Sequence, residues 1–278
     1  MARRGKRSKG IKIYLSVDFE GAACVIGVPD KPMEMLGSGL NTGTEVFRQA
    51  QRLVTAEVNA AVRGAFVGGA TEVLVEDNHG PGHNLLYEEL HPDASVLMGA
   101  PRPRRFCLLD RSFAGIVLLC YHARAGTRGG VLAHSFSSVA IHEMRLNGKP
   151  IGEIGMDAAC AGARGVPVIL VSGDEAACAE ARKLLGRDVE TVATKRGISR
   201  NCALSLSPLR AQELIQDGMK RAVAKAAHIR PLVLDGPFVM DRVFKWETQA
   251  DAAARSPNTE RLDAYTVRWR AKTIDELL

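Results

Sequence analysis

The amino-acid sequence predicts an α/β fold, with a mostly parallel sheet flanked by helices and a smaller C-terminal α/β region. One observation is that short apolar, partly β-branched runs alternate with longer segments of helical periodicity. Residues 11–15, 44–68 and 71–76 form a first strand–helix–strand unit, which favours parallel pairing with a right-handed crossover. A second observation is that polar side chains follow several strand ends, where ligands bind in such sheets.

The first half of the chain opens with this unit and continues through alternating elements. A Gly/Pro-rich loop is predicted over residues 22–43, and Glu45 and Glu57 are expected on the polar face of the helix that follows it. The Asn147-Gly148 pair suits a type I′ turn and predicts a hairpin, with Glu153 on its second arm. Further strands are predicted over residues 94–98, 113–120 and 166–171, and a helix over 155–164.

The second half repeats the alternation. Asp174 is expected to cap a helix that ends at Leu185, and Ser207 with Pro208 to begin one that ends near residue 226. The remaining predicted elements are strands 189–194, 231–239 and 264–270 and a helix over 242–253. The expected organisation is a basic disordered tail over residues 1–10, an α/β metal-binding catalytic domain over 11–200, and a smaller C-terminal α+β region over 201–278.

Composition and charge exclude several classes of protein. The chain has 278 residues, 46% hydrophobic and 24% charged, which is ordinary for a soluble globular protein. No apolar run reaches the roughly 18 residues of a membrane helix, so we expect no membrane partner. The start is basic, unlike a secretory signal, and six scattered cysteines without a C-x-x-C pair indicate a reducing compartment. The cytoplasm is therefore the expected location.

Most of the net charge of +6 comes from the first ten residues, which carry five Lys and Arg. Of 37 basic residues, the other 32 nearly balance 31 acidic ones, so the body of the chain is almost neutral. This tail can be a solvated end or an arm for nucleic acid. No interleaved aromatic residues support the second interpretation, and we do not expect a nucleic-acid partner.

Asp18 and Glu20 follow the first predicted strand and lie two residues apart. If the strand geometry continues, both carboxylates project to the same side. Two carboxylates held that close repel each other unless a cation lies between them, and a metal ion is the simplest such cation. The alternative is a polar turn with both groups solvated.

His79 and His122 follow two other predicted strands, and Glu153 completes a candidate set with Asp18 and Glu20. Carboxylates and imidazoles together suit zinc, with manganese or cobalt as substitutes. Five ligands with one bridging carboxylate suffice for two metal ions, the arrangement of two-metal hydrolases. His134 is then left free for proton transfer or nucleophilic attack. The alternative for any single histidine is a satisfied structural residue.

These motifs resemble the zinc D-aminopeptidase family of the DppA type. Its S-x-D-x-E-G signature resembles residues 16–21, and the similarity continues through residues 71–79, 120–125, 133–135 and 152–155. The separated motifs occur in the family's order over about residues 11–272.

The resemblance implies a dinuclear zinc site, with two Zn²⁺ ions per chain. Asp18 would bridge both ions, Glu20 and His122 would bind one ion, and His79 and Glu153 the other, while His134 matches the position proposed as nucleophile. It further implies removal of N-terminal D-amino acids from short peptides and a homo-oligomer, a decamer of two stacked rings. The alternatives are a two-metal hydrolase of other amides or esters, and a nucleic-acid-associated protein that uses the basic tail.

Overall fold

The computed structural model describes residues 10–27 and 43–278, so the basic tail and most of the loop predicted over residues 22–43 lie outside the described residues. Its strands are β1 (Ile11–Val17), β2 (Ala70–Asp77), β3 (Ala94–Leu97), β4 (Phe113–Tyr121), β5 (Ile141–Leu146), β6 (Lys149–Pro150), β7 (Val168–Asp174), β8 (Glu190–Ser199), β9 (Cys202–Ser205), β10 (Phe238–Phe244), β11 (Thr259–Arg261) and β12 (Thr266–Ala271). Its α-helices are α1 (Glu45–Val67), α2 (Glu153–Ala163), α3 (Glu175–Leu185), α4 (Pro208–Lys225) and α5 (Glu247–Ala253).

Seven strands form the larger sheet, in the order β3-β2-β1-β4-β7-β8-β9. All its pairs are parallel except β8 with β9. The strand–helix–strand unit predicted at the start of the chain therefore exists as β1, α1 and β2, and the predicted mostly parallel sheet is confirmed. Because β1 lies between β2 and β4 and pairs in parallel with both, the carboxyl ends of these three strands lie side by side at the same edge of the sheet.

Five strands form a second, antiparallel sheet, in the order β11-β12-β10-β5-β6. It has its own cluster of buried apolar side chains, separate from the cluster around the larger sheet. Strands β5 and β6 of this sheet precede residue 200, whereas β9 and α4 follow that residue and belong to the larger layer. The boundary predicted near residue 200 does not coincide with the split between the sheets, and as a boundary between folding units it stays a prediction.

The two helix caps that the sequence predicts, Asp174 and Ser207, are confirmed. Each accepts a hydrogen bond from a backbone N–H in the first turn of its helix, and Thr44 does the same for α1. Helices α1 and α4 approach closely because Gly64 has no side chain, since a Cβ atom there would lie 2.4 Å from the Gln216 carbonyl oxygen. Helices α2 and α3 form a second contacting pair.

Backbone hydrogen bonds tie the strand ends together where the candidate ligands lie. The Asp18 N–H donates to the Leu119 carbonyl oxygen at 2.9 Å, and the Gly21 N–H donates to the Cys120 oxygen at 2.7 Å. A Cβ atom on Gly21 would lie 2.2 Å from the Tyr121 oxygen, so only glycine allows this approach. Cys120 has a φ of 61°, in the left-handed region, at a point where the pairing of β4 with β7 is irregular. This bulge redirects the chain just before His122.

Two predicted placements of acidic residues were wrong. Glu57 lies in the core at 1% exposure rather than on the polar face of α1. Its carboxylate accepts hydrogen bonds from the Ala23 N–H at 2.8 Å and the Cys120 thiol at 3.3 Å, which offset part of the cost of burial. Glu153 is the first residue of α2, not part of the hairpin arm, because the arm's pairing ends with the hydrogen bond from the Ile151 N–H to the Met144 carbonyl oxygen, at 3.0 Å.

Two boundaries in the C-terminal part also differ from the prediction. The strand predicted over residues 231–239 begins only at Phe238, directly after Pro237, and continues to Phe244. Central pairing with β12 and β5 holds residues 242–244 extended, so α5 begins at Glu247 rather than near residue 242. The Asn147-Gly148 turn is confirmed by the positive φ angles of both residues, 49° and 77°.

The state of the cysteines and the character of the helices relate to the predicted reducing, non-membrane location of the protein. Cys120, Cys160 and Cys178 are buried, as their apolar sequence context predicts, and all six cysteines are free thiols. Within residues 10–27 and 43–278, no helix combines the length and apolar character that crossing a membrane requires. The cytoplasmic location stays a prediction.

Candidate metal centre

The six candidate residues converge on one cavity region. Asp18 and Glu20 follow β1, His79 follows β2, His122 follows β4, His134 lies in the connection to β5, and Glu153 begins α2. Five of them line a cavity of about 390 Å³, and His122 is buried beside it. Their ligand atoms fall into two groups, each within 4.8 Å: Asp18, Glu20 and His79, and His122, His134 and Glu153.

The first group brings together two nearly inaccessible carboxylates and one imidazole. Asp18 is 6% exposed and Glu20 is 1% exposed. His79 Nε2 lies 3.3 Å from Glu20 Oε1, and its ring stacks on Phe19 with centroids 5.1 Å apart. Phe19, between the two acids in sequence, is fully buried. The alternation that the strand predicts is therefore kept beyond the end of β1.

In the second group, His122 and His134 both face the carboxylate of Glu153. His122 Nε2 lies 3.2 Å and His134 Nε2 lies 3.8 Å from Glu153 Oε1, and the two imidazole rings stack with centroids 3.9 Å apart. His122 Nε2 also lies 3.5 Å from Asp18 Oδ2, which joins the two groups. The sequence predicts five ligands with His134 outside the set, whereas this geometry makes His134 a possible sixth donor.

All three imidazoles are held through the same ring nitrogen. His122 Nδ1 donates to the Ala123 carbonyl oxygen at 2.9 Å, and His134 Nδ1 donates to the Leu132 oxygen at 2.8 Å. Because a carbonyl oxygen only accepts, Nδ1 of each ring carries a proton, and Nε2 is the nitrogen that faces the cavity. This is the arrangement in which histidines bind metals.

His79 follows the same pattern through Asn84. Its Nδ1 lies 3.2 Å from Asn84 Oδ1, and the Asn84 amide nitrogen donates to Asp77 Oδ1 at 2.6 Å and to the His79 carbonyl oxygen at 2.5 Å. These two acceptors fix the amide orientation, so Oδ1 must face the imidazole and accept its proton. Asp77 and Asn84 thereby set the tautomer of His79.

Unpartnered buried atoms test whether these residues fit a metal ion. Asp18 Oδ2, Glu20 Oε2 and His122 Nε2 are buried and have no hydrogen-bond partner among the described residues. A buried polar atom without a partner is costly, and a cation would satisfy all three atoms at once. The oxygen and imidazole donor set is the one that zinc accepts. The residues present therefore fit a metal centre.

The pKa values of these groups show how strongly the carboxylates depend on cations. Burial, and next the Glu20 carboxylate, raise the pKa of Asp18 well above its usual range. Burial also opposes ionisation of Glu20 and Glu153, but facing imidazoles outweigh it: His79 holds the Glu20 pKa well below its usual range, and His122 lowers that of Glu153 to about 2. Metal binding must therefore displace protons from these imidazoles.

His134 differs from the other two histidines in its proton affinity. Burial, followed by the nearby His122, lowers the pKa of His134 below its ordinary value. For His79, burial is outweighed by the Glu20 carboxylate, which raises the pKa to about 10. Among these imidazoles, His134 is the one disposed to be neutral near pH 7, as a base or a ligand must be.

Lys195 is a residue of this site that the sequence analysis missed. It lies on β8, is 3% exposed, and donates through Nζ to the carbonyl oxygens of Glu20 and Ala22, each at 2.6 Å, and of Val25. It therefore holds the backbone directly after the first two ligands. In the sequence, the signal for it is a lysine directly after the predicted strand 189–194.

A second missed group supports the strand ends from the side of α2. Arg105 makes a two-pronged ion pair with the buried Asp157, at 2.8 and 2.7 Å, and the Tyr121 hydroxyl donates to Asp157 at 2.6 Å. Tyr121 immediately precedes His122, and Asp157 is four residues after Glu153 on α2. The sequence predicts Glu153 on a hairpin arm, so it gives no signal that Asp157 lies one turn after Glu153 on the same helix.

We predict that Lys195→Met loosens the metal centre. Three backbone carbonyl oxygens would lose their charged donor, and each buried acceptor left unsatisfied costs about 1–3 kcal/mol. The expected results are a melting temperature lower by several degrees and weaker metal binding, measured by thermal denaturation and metal titration. Lys220→Met, which removes an exposed lysine of α4, is the control. Equal behaviour of both variants would contradict the role of Lys195.

Comparison with known proteins identifies the family. The family model for peptidase M55, D-aminopeptidase, matches residues 11–278. A D-aminopeptidase of Bacillus subtilis strain 168 is 35% identical over 268 residues, which covers 96% of this chain and 93% of the relative. The structure of the Zn-dependent D-aminopeptidase DppA from Bacillus subtilis, described as a self-compartmentalizing protease, matches with a TM-score of 0.86 at 35% identity, covering 96% of this chain and 93% of that one. The resemblance drawn from the motifs is thus confirmed, and the chain belongs to the M55 peptidases, the D-aminopeptidase family.

Proposed function

We propose that this protein is a zinc-dependent aminopeptidase that removes N-terminal D-amino acids from short peptides. The observation that carries the proposal is that two groups of buried donor atoms adjoin each other. They meet where His122 Nε2 of one group lies 3.5 Å from Asp18 Oδ2 of the other. The five proposed ligands exceed the four donors that one tetrahedral zinc site needs, which supports two ions per chain. The D-configuration and the zinc dependence are supported by the relatives.

In this proposal five residues would hold two ions: Asp18 would serve both, Glu20 and His122 would bind one, and His79 and Glu153 the other, so each ion would take donors from both groups. Asp18 suits the bridging role because its Oδ2 faces His122, while its ligand atoms also lie with those of Glu20 and His79. When bound, such a pair of ions polarises a carbonyl group and lowers the pKa of water. The protein contributes the fixed tautomers, the buried surroundings and the positions of the ligands.

His134 would act on the proton of the attacking nucleophile. Its Nδ1 proton is held by the Leu132 oxygen, and its lowered pKa leaves the Nε2 lone pair available near neutral pH. Nε2 can accept a proton from attacking water and return it to the leaving amine. Direct attack by Nε2 on the carbonyl carbon is the alternative role, and the same atom would serve in both.

The overall proposal is tested by metal analysis and matched substrates. Freshly purified protein should contain about two zinc ions per chain, and a chelator should abolish activity that added zinc restores. D-alanine amide should be hydrolysed at least about tenfold faster than L-alanine amide. Equal rates would favour a two-metal amide hydrolase without D-specificity, and absence of metal and of hydrolysis would refute the proposal.

We predict that Asp18→Ala is the most damaging ligand change. A bridging carboxylate serves both ions, so its loss should lower zinc content by more than one ion per chain and activity by about 10³-fold or more. Zinc content and kcat are measured on the same preparation. Asp217→Ala, which changes an exposed residue of α4, is the control. An Asp18→Ala variant that kept its metal and turnover would make the bridging assignment wrong.

We predict that His134→Ala keeps both metal ions but lowers kcat by about 10²-fold, the usual contribution of a general base. His142→Ala, which changes an exposed histidine of β5, is the control. Metal content, melting temperature and kcat are measured together. Loss of one ion would make His134 the third ligand of its group, and a near-normal kcat would remove it from the mechanism.

We further propose that the chain functions in the cytoplasm as a homo-oligomer, a decamer. The described surface carries large apolar side chains that an interface could cover, including Ile198, Leu209 and Val233 at 66%, 74% and 61% exposure. Sedimentation or light scattering should give the mass of ten 29.9 kDa chains. A monomer at micromolar concentration would contradict this assembly.

A further inference from the structure

A second cavity adjoins the one that holds the candidate ligands. It has a volume of about 410 Å³, and Asn78, Gly80, Arg105 and Phe136 line both cavities. The two cavities therefore adjoin along these four residues. The rest of a molecule whose reacting group lies at the candidate ligands would extend toward the second cavity.

Four arginines line the second cavity. Arg102, Arg104 and Arg105 come from the connection between β3 and β4 in the larger sheet, and Arg242 comes from β10 in the antiparallel sheet. The cavity thus lies where the two sheets meet. Neither sheet alone supplies the full set of arginines.

Two of these arginines are neutralised by buried acids. Arg102 Nη1 lies 2.6 Å from Glu76 Oε1, and Arg105 is paired with Asp157. Arg104 and Arg242 have no carboxylate partner in the part of the chain that the structure describes. The lining therefore carries an excess of positive charge, in contrast to the carboxylate-rich cavity next to it.

Arg242 is a partly desolvated cation. Its guanidinium lies 4.7 Å from the centroid of the Trp269 ring, and its Nη2 donates to the Leu277 carbonyl oxygen at 2.5 Å. Its Nε is buried without a hydrogen-bond partner among the described residues, as is Nε of Arg102. A cation held away from water without an acid gains more from an anionic ligand than a solvated one does.

We propose that this arginine-lined cavity binds the C-terminal carboxylate of the peptide substrate, with Arg242 and Arg104 as the residues that recognise it. This inference rests on the proposed function and specifies its substrate class as di- and tripeptides with a free carboxylate. Each extended residue spans about 3.3–3.6 Å, so the carboxylate of so short a peptide falls within one or two residues of the reacting carbonyl. A longer or amidated chain cannot place a carboxylate there.

The test compares one peptide in two forms on the zinc-loaded protein. D-Ala-Gly with a free carboxylate and D-Ala-Gly amide have the same scissile bond and differ only in the charge at the far end. Wild-type protein should show a kcat/KM at least about tenfold higher for the free acid, because a charge-assisted pair to arginine is lost with the amide. The difference should lie mainly in KM.

Arginine variants then test whether the preference for the free acid over the amide comes from this cavity. Arg242→Gln and Arg104→Gln should each lower the ratio of kcat/KM for acid over amide severalfold, and Arg242→Lys should retain part of it. Arg187→Gln, in the turn between α3 and β8 and lining neither cavity, should leave the ratio unchanged. A wild-type ratio near one, or an equal loss on both peptides in the two glutamine variants, would overturn the proposal.

Failure of the proposed function gives a different result. In that case D-alanine amide, which has no carboxylate, would not be cleaved by wild-type protein either. Calorimetric titration of the same two peptides into the zinc-loaded protein then decides the subsite. The carboxylate subsite is supported if wild-type protein binds the free acid more tightly than the amide and Arg242→Gln weakens that preference. Equal binding of acid and amide overturns it.

Discussion

Three buried carboxylates, those of Asp18, Glu20 and Glu153, impose the constraint on which the rest of the site depends. Like charges so close together in a poorly solvated cavity cannot all ionise without cations beside them. The surrounding residues answer this requirement with three imidazoles, each turned so that Nε2 faces the carboxylates. A donor set of this kind binds divalent metals because the ions balance the charge and satisfy the unpartnered atoms together.

Holding these carboxylates requires a rigid support that reaches well beyond the ligands. Lys195 fixes the backbone after Glu20 through three carbonyl oxygens, and Glu57 holds the Ala23 N–H in the same segment. On the other side, Asp157 joins Arg105 and Tyr121 behind His122. The supporting groups are themselves polar and buried, and each is satisfied by hydrogen bonds to backbone or to another polar side chain, which limits the cost of burying them.

The two sheets contribute to two adjoining cavities. The parallel sheet supplies most candidate ligands at the ends of three adjacent strands, as expected for a fold of this class. The antiparallel sheet contributes Arg242 to the cavity next to them. A negative region beside a positive one suits a short molecule with a charge at its far end, and this arrangement links the chemistry at the ligands with selection of the substrate.

The sequence by itself determined the parallel sheet, the strand ends and the identity of the candidate ligands. Strand periodicity and the helix after β1 are local patterns, and parallel topology brings the ends of neighbouring strands together, so Asp18, Glu20, His79 and His122 could be placed at one edge. Only the tertiary structure decided that Glu57 is buried, that Glu153 begins a helix, and that His134 lies beside Glu153. Lys195 and Arg242 likewise act through contacts with residues distant in sequence. Such contacts depend on how loops and the two sheets pack, and local periodicity carries no information about that packing.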